Sequence, residues 1–254
     1  MSSSITQTVW FTDKDTYIEF ETEVDWHEHN QMLKVAFPVD IHTDKAIYEI
    51  QFGTIERPTH TNTSWDAAKY EVCGHKYADL SEGNFGISLL NDCKYGHDIH
   101  DGVMMLSLLR SPTYPNPESD QGVSCFTYGI YSHKGQLKDC ETARLAYYLN
   151  YPMTAIKACG ETDILPSSFS ALTVNCDNVI CETVKEAEES EDNIIRLHEC
   201  KNVRTNAELS VGLDAKKCYL CDMMENNIEE LPITNGKISV RLGGFEVATL
   251  KLIK

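Results

Sequence analysis

The chain has 254 residues, 42% of them apolar, enough to bury the core of one large β domain or of one medium and one small domain. Its formal charge of −17 excludes a nucleic-acid surface built on clustered Lys and Arg and leaves neutral or cationic partners. No apolar run approaches a membrane span, and the opening MSSSITQTVWF lacks a basic region followed by an apolar one, so a soluble, cytoplasmic protein without membrane contact is expected.

In chain order, residues 17–26 alternate, with Ile18, Phe20, Thr22, Val24 and Trp26 on one side and Tyr17, Glu19, Glu21, Glu23 and Asp25 on the other. A period of two predicts a strand with one wet face. Leu33, Val35, Phe37 and Val39 repeat the pattern, and Ala46, Tyr48, Ile50 and Phe52 repeat it again after an HTDK turn. The spacing predicts three antiparallel neighbours joined by short polar links. The stretch from Phe52 to Arg110 is dense in Trp, Tyr, His and carboxylates, which predicts polar and aromatic side chains carried on sheet. Further strands are expected near 69–73, 85–90, 103–109 and 124–131, a spacing that suits a β-sandwich and leaves no room for crossover helices.

One segment predicts a helix, LKDCETARLAYYLN. Asp139 is placed to cap it, Ala143, Leu145, Tyr148 and Leu149 approximate an apolar face, and Asn150 with Pro152 ends it, making a short connector packed on the sandwich. After LPSSFS at 165–170 the chain turns to short strands with acidic turns, VICETV, NIIRLHE, ELSVGL, KISVRL and EVATLKLI. A smaller β-sandwich over 161–254, after a larger domain over 1–160, is the expected organisation. The run KEAEESED at 185–192 reads as a solvated turn between two strands.

Ten cysteines in a chain of this size without an export signal are expected as reduced, packed thiols, Cys125 and Cys181 inside strands among them. Cys218 and Cys221 form a lone CxxC with no second pair or His at ligand spacing, so no zinc site is expected there. His27 with His29, and His97 with His100, lack a third ligand at a telling spacing and read as exposed or hydrogen-bonded histidines. Neither GxSxG, a Walker loop, HExxH nor a glycine fingerprint occurs, and no catalytic residue and no metal site is assigned. Trp65 and Asp66, with Tyr70 nearby, are residue types that bind sugars by ring stacking and carboxylate hydrogen bonds, although Trp65 also suits core packing. Arg110 ends the 103–109 strand, and Pro112, Pro115 and Pro117 stiffen the loop that presents Glu118 and Asp120. A strand that delivers an arginine and a carboxylate-bearing loop to one edge is a candidate place for function, or else Arg110 and Asp120 are an ion pair that orders the loop.

RPTHTNTSWDAAKYEV, ADLSEGNFGISLLNDCKYG, LLRSPTYPNPESDQG, ETVKEAEESEDNIIRLHE and GGFEVATLKL together closely resemble the C-terminal β region of glycoside hydrolase family 38 α-mannosidases of the short bacterial and cytosolic type. The resemblance implies an all-β fold: a large galactose-mutarotase-like β-supersandwich over 1–160, then the smaller sandwich over 161–254, with one short connecting helix. It implies a zinc-dependent, retaining exo-α-mannosidase as the intact enzyme, with an α-mannoside substrate. The zinc ligands and catalytic carboxylates then lie in an N-terminal catalytic domain, the implied partner of this region, whose own part is to complete the fold and shape the substrate pocket. In that setting Arg110 and Asp120 face the catalytic mouth. One departure stands out, since family members of this type carry a His between DQG and FTY where this chain has Ser124 and Cys125. Two other readings are a noncatalytic carbohydrate-binding module and a stand-alone sugar epimerase of the mutarotase type with His75 or His97 as acid. The motif ETVKEAEESEDNIIRLHE, outside the sandwich core, speaks against the epimerase.

Overall fold

A computed structural model describes residues 2–13, 16–157 and 168–254. The fold is all-β, and the chain forms two compact units that meet in sequence at Met153 and Thr154. The boundary expected near residue 160 lies outside the described residues.

The first unit runs through β1 (Ser4–Phe11), β2 (Tyr17–Trp26), β3 (Leu33–Pro38), β4 (Lys45–Ile50), β5 (Gly53–Pro58) and α1 (Ser64–Ala67). It continues with β6 (Val72–Cys73), β7 (Tyr77–Glu82), β8 (Phe85–Asn91), β9 (Gly96–His100), β10 (Val103–Leu109), β11 (Gly122–Lys134) and α2 (Thr142–Asn150). Seven strands form one sheet in the order β1-β2-β11-β8-β7-β4-β5, and four form a second in the order β3-β10-β9-β6. Their facing sides bury Val24, Tyr48, Leu80, Leu89, Met104, Leu106 and Phe126 in one core.

The three early alternations are strands, but they are not neighbours of one another. β2 pairs with β1 and β11, β3 pairs with β10, and β4 pairs with β5 and β7. Alternation marks a wet face and says nothing of which edge a strand finds; here the links 27–32 and 39–44 pass from one sheet to the other. Phe52 leaves the pattern as well, because β4 ends at Ile50 and Phe52 turns the β4–β5 hairpin at φ +51°.

A polar layer lies on the outer side of the large sheet, under α2. Asp79 of β7 accepts hydrogen bonds from Ser88 Oγ at 2.7 Å and His133 Nε2 at 2.8 Å, with Ser81 Oγ as a third donor. Ser88 Oγ lies 2.7 Å from Thr142 Oγ1, the first residue of α2. Gly86 makes the approach possible, since a Cβ there would sit 2.3 Å from His133 Cε1. α2 therefore docks through Thr142, Ala143 and Ala146, while Tyr148, expected on the buried face, is exposed. Small residues let a short helix lie close to the sheet. Asp139 does not cap α2; it accepts from the Gln136 N–H and closes a separate 3₁₀ turn over Leu137–Asp139.

The second unit holds β12 (Leu172–Val174), β13 (Val179–Glu186), β14 (Asn193–Glu199), β15 (Thr205–Val211), β16 (Lys217–Cys221), β17 (Asn227–Leu231), β18 (Lys237–Leu242) and β19 (Val247–Ile253). Sheets β12-β15-β18 and β13-β14-β19-β16-β17 bury Ile195, Leu197, Leu209, Ile238, Val240, Leu250 and Leu252. Residues 187–192 form the turn between β13 and β14, as the acidic run predicts. Glu199 is fully buried but satisfied: its carboxylate accepts from Asn178 Nδ2, the Lys201 N–H and the Phe245 N–H, tying two turns together.

Candidate functional site

The four candidate residues fall at two places. Arg110 follows a bulge in the β10–β3 pairing between Ser107 and Leu109. Strict alternation after Met104, Leu106 and Leu108 would turn residue 110 inward. The bulge buries Leu109 as well and sends Arg110 out to solvent.

Asp120 is where the expected ion pair changes character. Its Oδ2 accepts from the backbone N–H groups of Arg110 at 2.9 Å and Ser111 at 2.8 Å, and these two bonds first of all hold its carboxyl below the usual range. The carboxylate thus orders the loop through amides, and among the described residues the Arg110 guanidinium forms no ion pair. Ser111, buried at φ +43°, donates its hydroxyl to Gln31 O at 2.7 Å, and Gln121 Nε2 donates to Glu28 O at 2.8 Å. Loop 110–121 is fastened at both ends to residues 28–31, and its middle carries exposed Tyr114 and Glu118.

Trp65 and Asp66 sit on α1, a single helical turn rather than a strand. Thr63 caps it: its Oγ1 accepts from the Asp66 N–H and donates to Asp66 Oδ2 at 2.6 Å, the main cause that lowers the Asp66 pKa. Trp65 is 82% exposed, which excludes the core-packing reading within this chain. Asp66 lines a small cleft with Tyr48, Arg57, His60, Lys69 and His100. His100 pairs with Val103, the first residue of β10, whereas Arg110 follows its last. The two pairs of candidates therefore lie at opposite ends of a seven-residue strand, roughly 20 Å apart at about 3.4 Å per residue.

Between these ends lies a group that sequence patterning missed. Lys34 Nζ of β3 meets Glu71 Oε1 at 2.9 Å and Asp98 Oδ2 at 3.1 Å, and Ser107 also donates to Glu71. These residues come from four separate segments, so no local spacing announces them.

His97 departs from expectation, being neither exposed nor hydrogen-bonded. It is fully buried, edge-on to Tyr48 at 5.8 Å, with both ring nitrogens unpartnered, and burial first of all lowers its pKa to about 4. A histidine sealed in this way does not reach a sugar, which removes it as the acid of an epimerase. His27 Nε2 lies 3.0 Å from Asp25, and His100 Nδ1 lies 2.7 Å from Asp98. Among the described residues no three His, Cys, Asp or Glu are placed to hold a metal ion, so the zinc implied by the resemblance does not fit here.

The nine described cysteines are free thiols. Cys125 is exposed rather than packed, because it shares the outer face of the large sheet with its β2 partner Glu23. Cys218 and Cys221 are both buried, and burial raises the Cys218 thiol to about 12. Three residues apart on one strand, they do not converge on a common point.

Comparison with known proteins accounts for both units. Residues 1–118 match the glycosyl hydrolases family 38 C-terminal domain, and residues 178–250 match the C-terminal beta sandwich domain of the same family. Human alpha-mannosidase 2C1 is 40% identical over 242 residues, covering 93% of this chain and 23% of that protein. Alpha-mannosidase G of Dictyostelium discoideum is 36% identical over 258 residues, covering 99% of this chain and 24% of that one. In fold, the chain is similar to the crystal structure of an alpha-mannosidase from Enterococcus faecalis V583, with a TM-score of 0.86 at 20% identity over 98% of this chain and 29% of that one. The chain spans about a quarter of the length of the curated relatives it matches. With both units matched in order, the chain belongs to glycoside hydrolase family 38, as the C-terminal β region of its α-mannosidases.

Proposed function

We propose that this chain is the C-terminal β region of an intact zinc-dependent, retaining exo-α-mannosidase, and that it completes the enzyme's fold and shapes its substrate pocket. One observation carries the reading: identity of 36% or more to proteins named alpha-mannosidases runs over 92% or more of the chain. Zinc and the catalytic carboxylate pair belong, on this reading, to the N-terminal catalytic domain, and the reacting groups are not drawn from residues described here. This region's part is positional. Loop 110–121, fastened through Asp120, Ser111 and Gln121, holds out a guanidinium that forms no ion pair among the described residues. Its rigid fork suits a sugar hydroxyl or a carboxylate of the catalytic domain.

Arg110→Ala in the intact enzyme tests this. Losing a charged hydrogen bond worth about 2 kcal/mol lowers kcat/KM for an aryl α-mannoside by tens-fold while Tm stays within a degree or so. A lowered Tm with unchanged kinetics would make Arg110 a loop staple and overturn the assignment. A second role, sugar contact remote from that mouth, is favoured by the exposure of Trp65 beside Asp66. Trp65→Ala then raises KM for an oligomannoside and leaves KM for an aryl monosaccharide unchanged. Equal effects on both would remove it.

A further inference from the structure

The second unit carries a cleft on the outer face of its five-stranded sheet. Ile195, Leu197, Leu250 and Leu252 face the core, so Arg196, Thr249 and Lys251 project from the other side of β14 and β19. Arg196 pairs with Thr249 and Lys251 with Ile194, which makes the two cations diagonal neighbours on adjacent strands, roughly 7–8 Å apart. Loop 222–226 stands beside them, and together they line a cleft of about 570 Å³, within the ordinary range for a small-molecule site.

The wall of the cleft is held from three sides. Asp222 Oδ1 accepts from the Met224 and Asn226 N–H groups, both at 2.9 Å, which fixes the turn of the loop. The Glu225 carboxylate accepts from Lys185 Nζ at 2.7 Å and from the Glu188 N–H at 2.9 Å, tying the loop to β13 and to the turn that follows it. Thr249 Oγ1 lies 3.9 Å from Met223 Sδ, at the foot of the loop.

The charges inside this cleft are unevenly matched. Lys185 is paired twice, with Glu188 at 2.5 Å and with Glu225. Arg196 donates Nε to Thr249 Oγ1 at 3.4 Å, but among the described residues neither its guanidinium nor the Lys251 ammonium forms an ion pair. The chain has 39 Asp and Glu against 22 Lys and Arg, and Lys34, Lys76, Lys201 and Lys237 each hold a carboxylate at 2.9 Å or less. Two neighbouring cations without a carboxylate are the exception in such a chain, and like charges side by side repel. Of the three carboxylates that line the cleft, Glu188 and Glu225 are taken by Lys185, and Glu189 is exposed, where solvent and salt screen it.

A monoanion would leave one of the two cations unmatched, whereas a dianion answers both. A phosphate monoester carries close to two negative charges at pH 7 and three acceptor oxygens. The guanidinium fork engages two of these and the ammonium the third. Met223 and Met224, both exposed, supply polarizable thioether walls for the organic part of the ester. The geometry points to a binding site for a phosphate monoester of a small molecule on the C-terminal sandwich, with Arg196 and Lys251 as its phosphate contacts and Met223 and Met224 against the organic group. The site lies wholly within the second unit and is independent of the function proposed above.

Isothermal titration of this 254-residue chain and of the intact polypeptide with phenyl phosphate, benzoate and inorganic phosphate tests it. Both proteins bind one equivalent of phenyl phosphate, at least tenfold more tightly than benzoate or inorganic phosphate. Arg196→Gln and Lys251→Met, which keep most of each stem, each weaken phenyl phosphate at least tenfold. Lys237→Met, at a cation already paired with Glu208, changes nothing. The comparison of the three ligands on the wild type stands even where a variant fails to fold. Absence of saturable binding, benzoate binding as tightly as phenyl phosphate, or an equal loss with Lys237→Met overturns the site. Inorganic phosphate binding as tightly as the ester overturns the assignment of the ligand class, and binding by this chain but not by the intact polypeptide overturns the site as a property of the enzyme.

Discussion

Replacing Asp79 by Ala should unfold the first unit at markedly lower denaturant. The carboxylate is completely buried and faces a His133 side chain that is 1% exposed, so neither partner has water to fall back on once the other is gone. Removing it strips the acceptor from Ser81, Ser88 and the imidazole together. Breaking a buried charged pair on one side costs about 3–5 kcal/mol. At roughly 2–4 °C per kcal/mol for a protein of this size, Tm falls by about 6–20 °C. The pH dependence gives an independent sign. Burial opposes the charged ring, but the hydrogen bond to Asp79, the Cys140 thiol beside the ring and the Asp79 charge reverse that and raise His133 from 6.5 to about 10. A raised folded pKa means stabilisation that is whole below about pH 6.5 and is lost as pH climbs through about 10. Urea unfolding of the wild type, followed by circular dichroism, should therefore show a midpoint that falls across that window. Asp79→Ala and Asp79→Asn should start lower and lose most of the slope. An unchanged midpoint for Asp79→Ala, or a slope that survives in both variants, would refute the reasoning.

Three further outcomes follow from the same structure. His97 has the opposite sign: lowered from 6.5 to about 4, it lets the unfolded chain take a proton the folded one refuses, so stability rises with pH between about 4 and 6.5. His97→Phe should flatten that part of the profile, and an unaltered acid limb would show that the ring has another source of charge compensation. Thiol titration of the native protein should find Cys73 and Cys125 reacting quickly, Cys93 more slowly because burial and Asp92 push its thiol up to about 11, and Cys140, Cys200, Cys218 and Cys221 only after unfolding, with all ten titrating in denaturant without reductant. Asp120→Ala frees the Arg110 and Ser111 amides, a loss of about 1–3 kcal/mol, and should speed their hydrogen exchange while β8 and β10 are unchanged. Unaltered exchange at those amides would show that the Ser111 and Gln121 contacts hold the loop without the carboxylate.

Much of the fold is legible in local pattern because a half-buried strand must alternate. KISVRL predicts β18, and there Ile238, Val240 and Leu242 are buried while Lys237, Ser239 and Arg241 are exposed. LKDCETARLAYYLN predicts a helix, of which Thr142–Asn150 forms α2, and the acidic run predicts the β13–β14 turn. The family was readable for another reason, because the stretches that carry the resemblance include residues that hold turns and caps in this chain: Thr63 and Asp66 on α1, Ser111 and Asp120 on the loop, and Glu199 beneath Phe245.

The sequence by itself determined the all-β class, the helix, the acidic surface and membership of the mannosidase family, since composition, period and motif are properties of neighbours along the chain. Pairing was left to the tertiary structure: β2, β3 and β4 have the same period, and only the closing of two sheets on one core sorts β3 from the other two. The same holds for side-chain direction, where one bulge after Ser107 turns Arg110 outward against simple alternation, and for burial, where His97 and Glu199 are sealed in while Trp65 is left in water. Such outcomes depend on what arrives from distant segments, and a local pattern carries no record of residues tens of positions away.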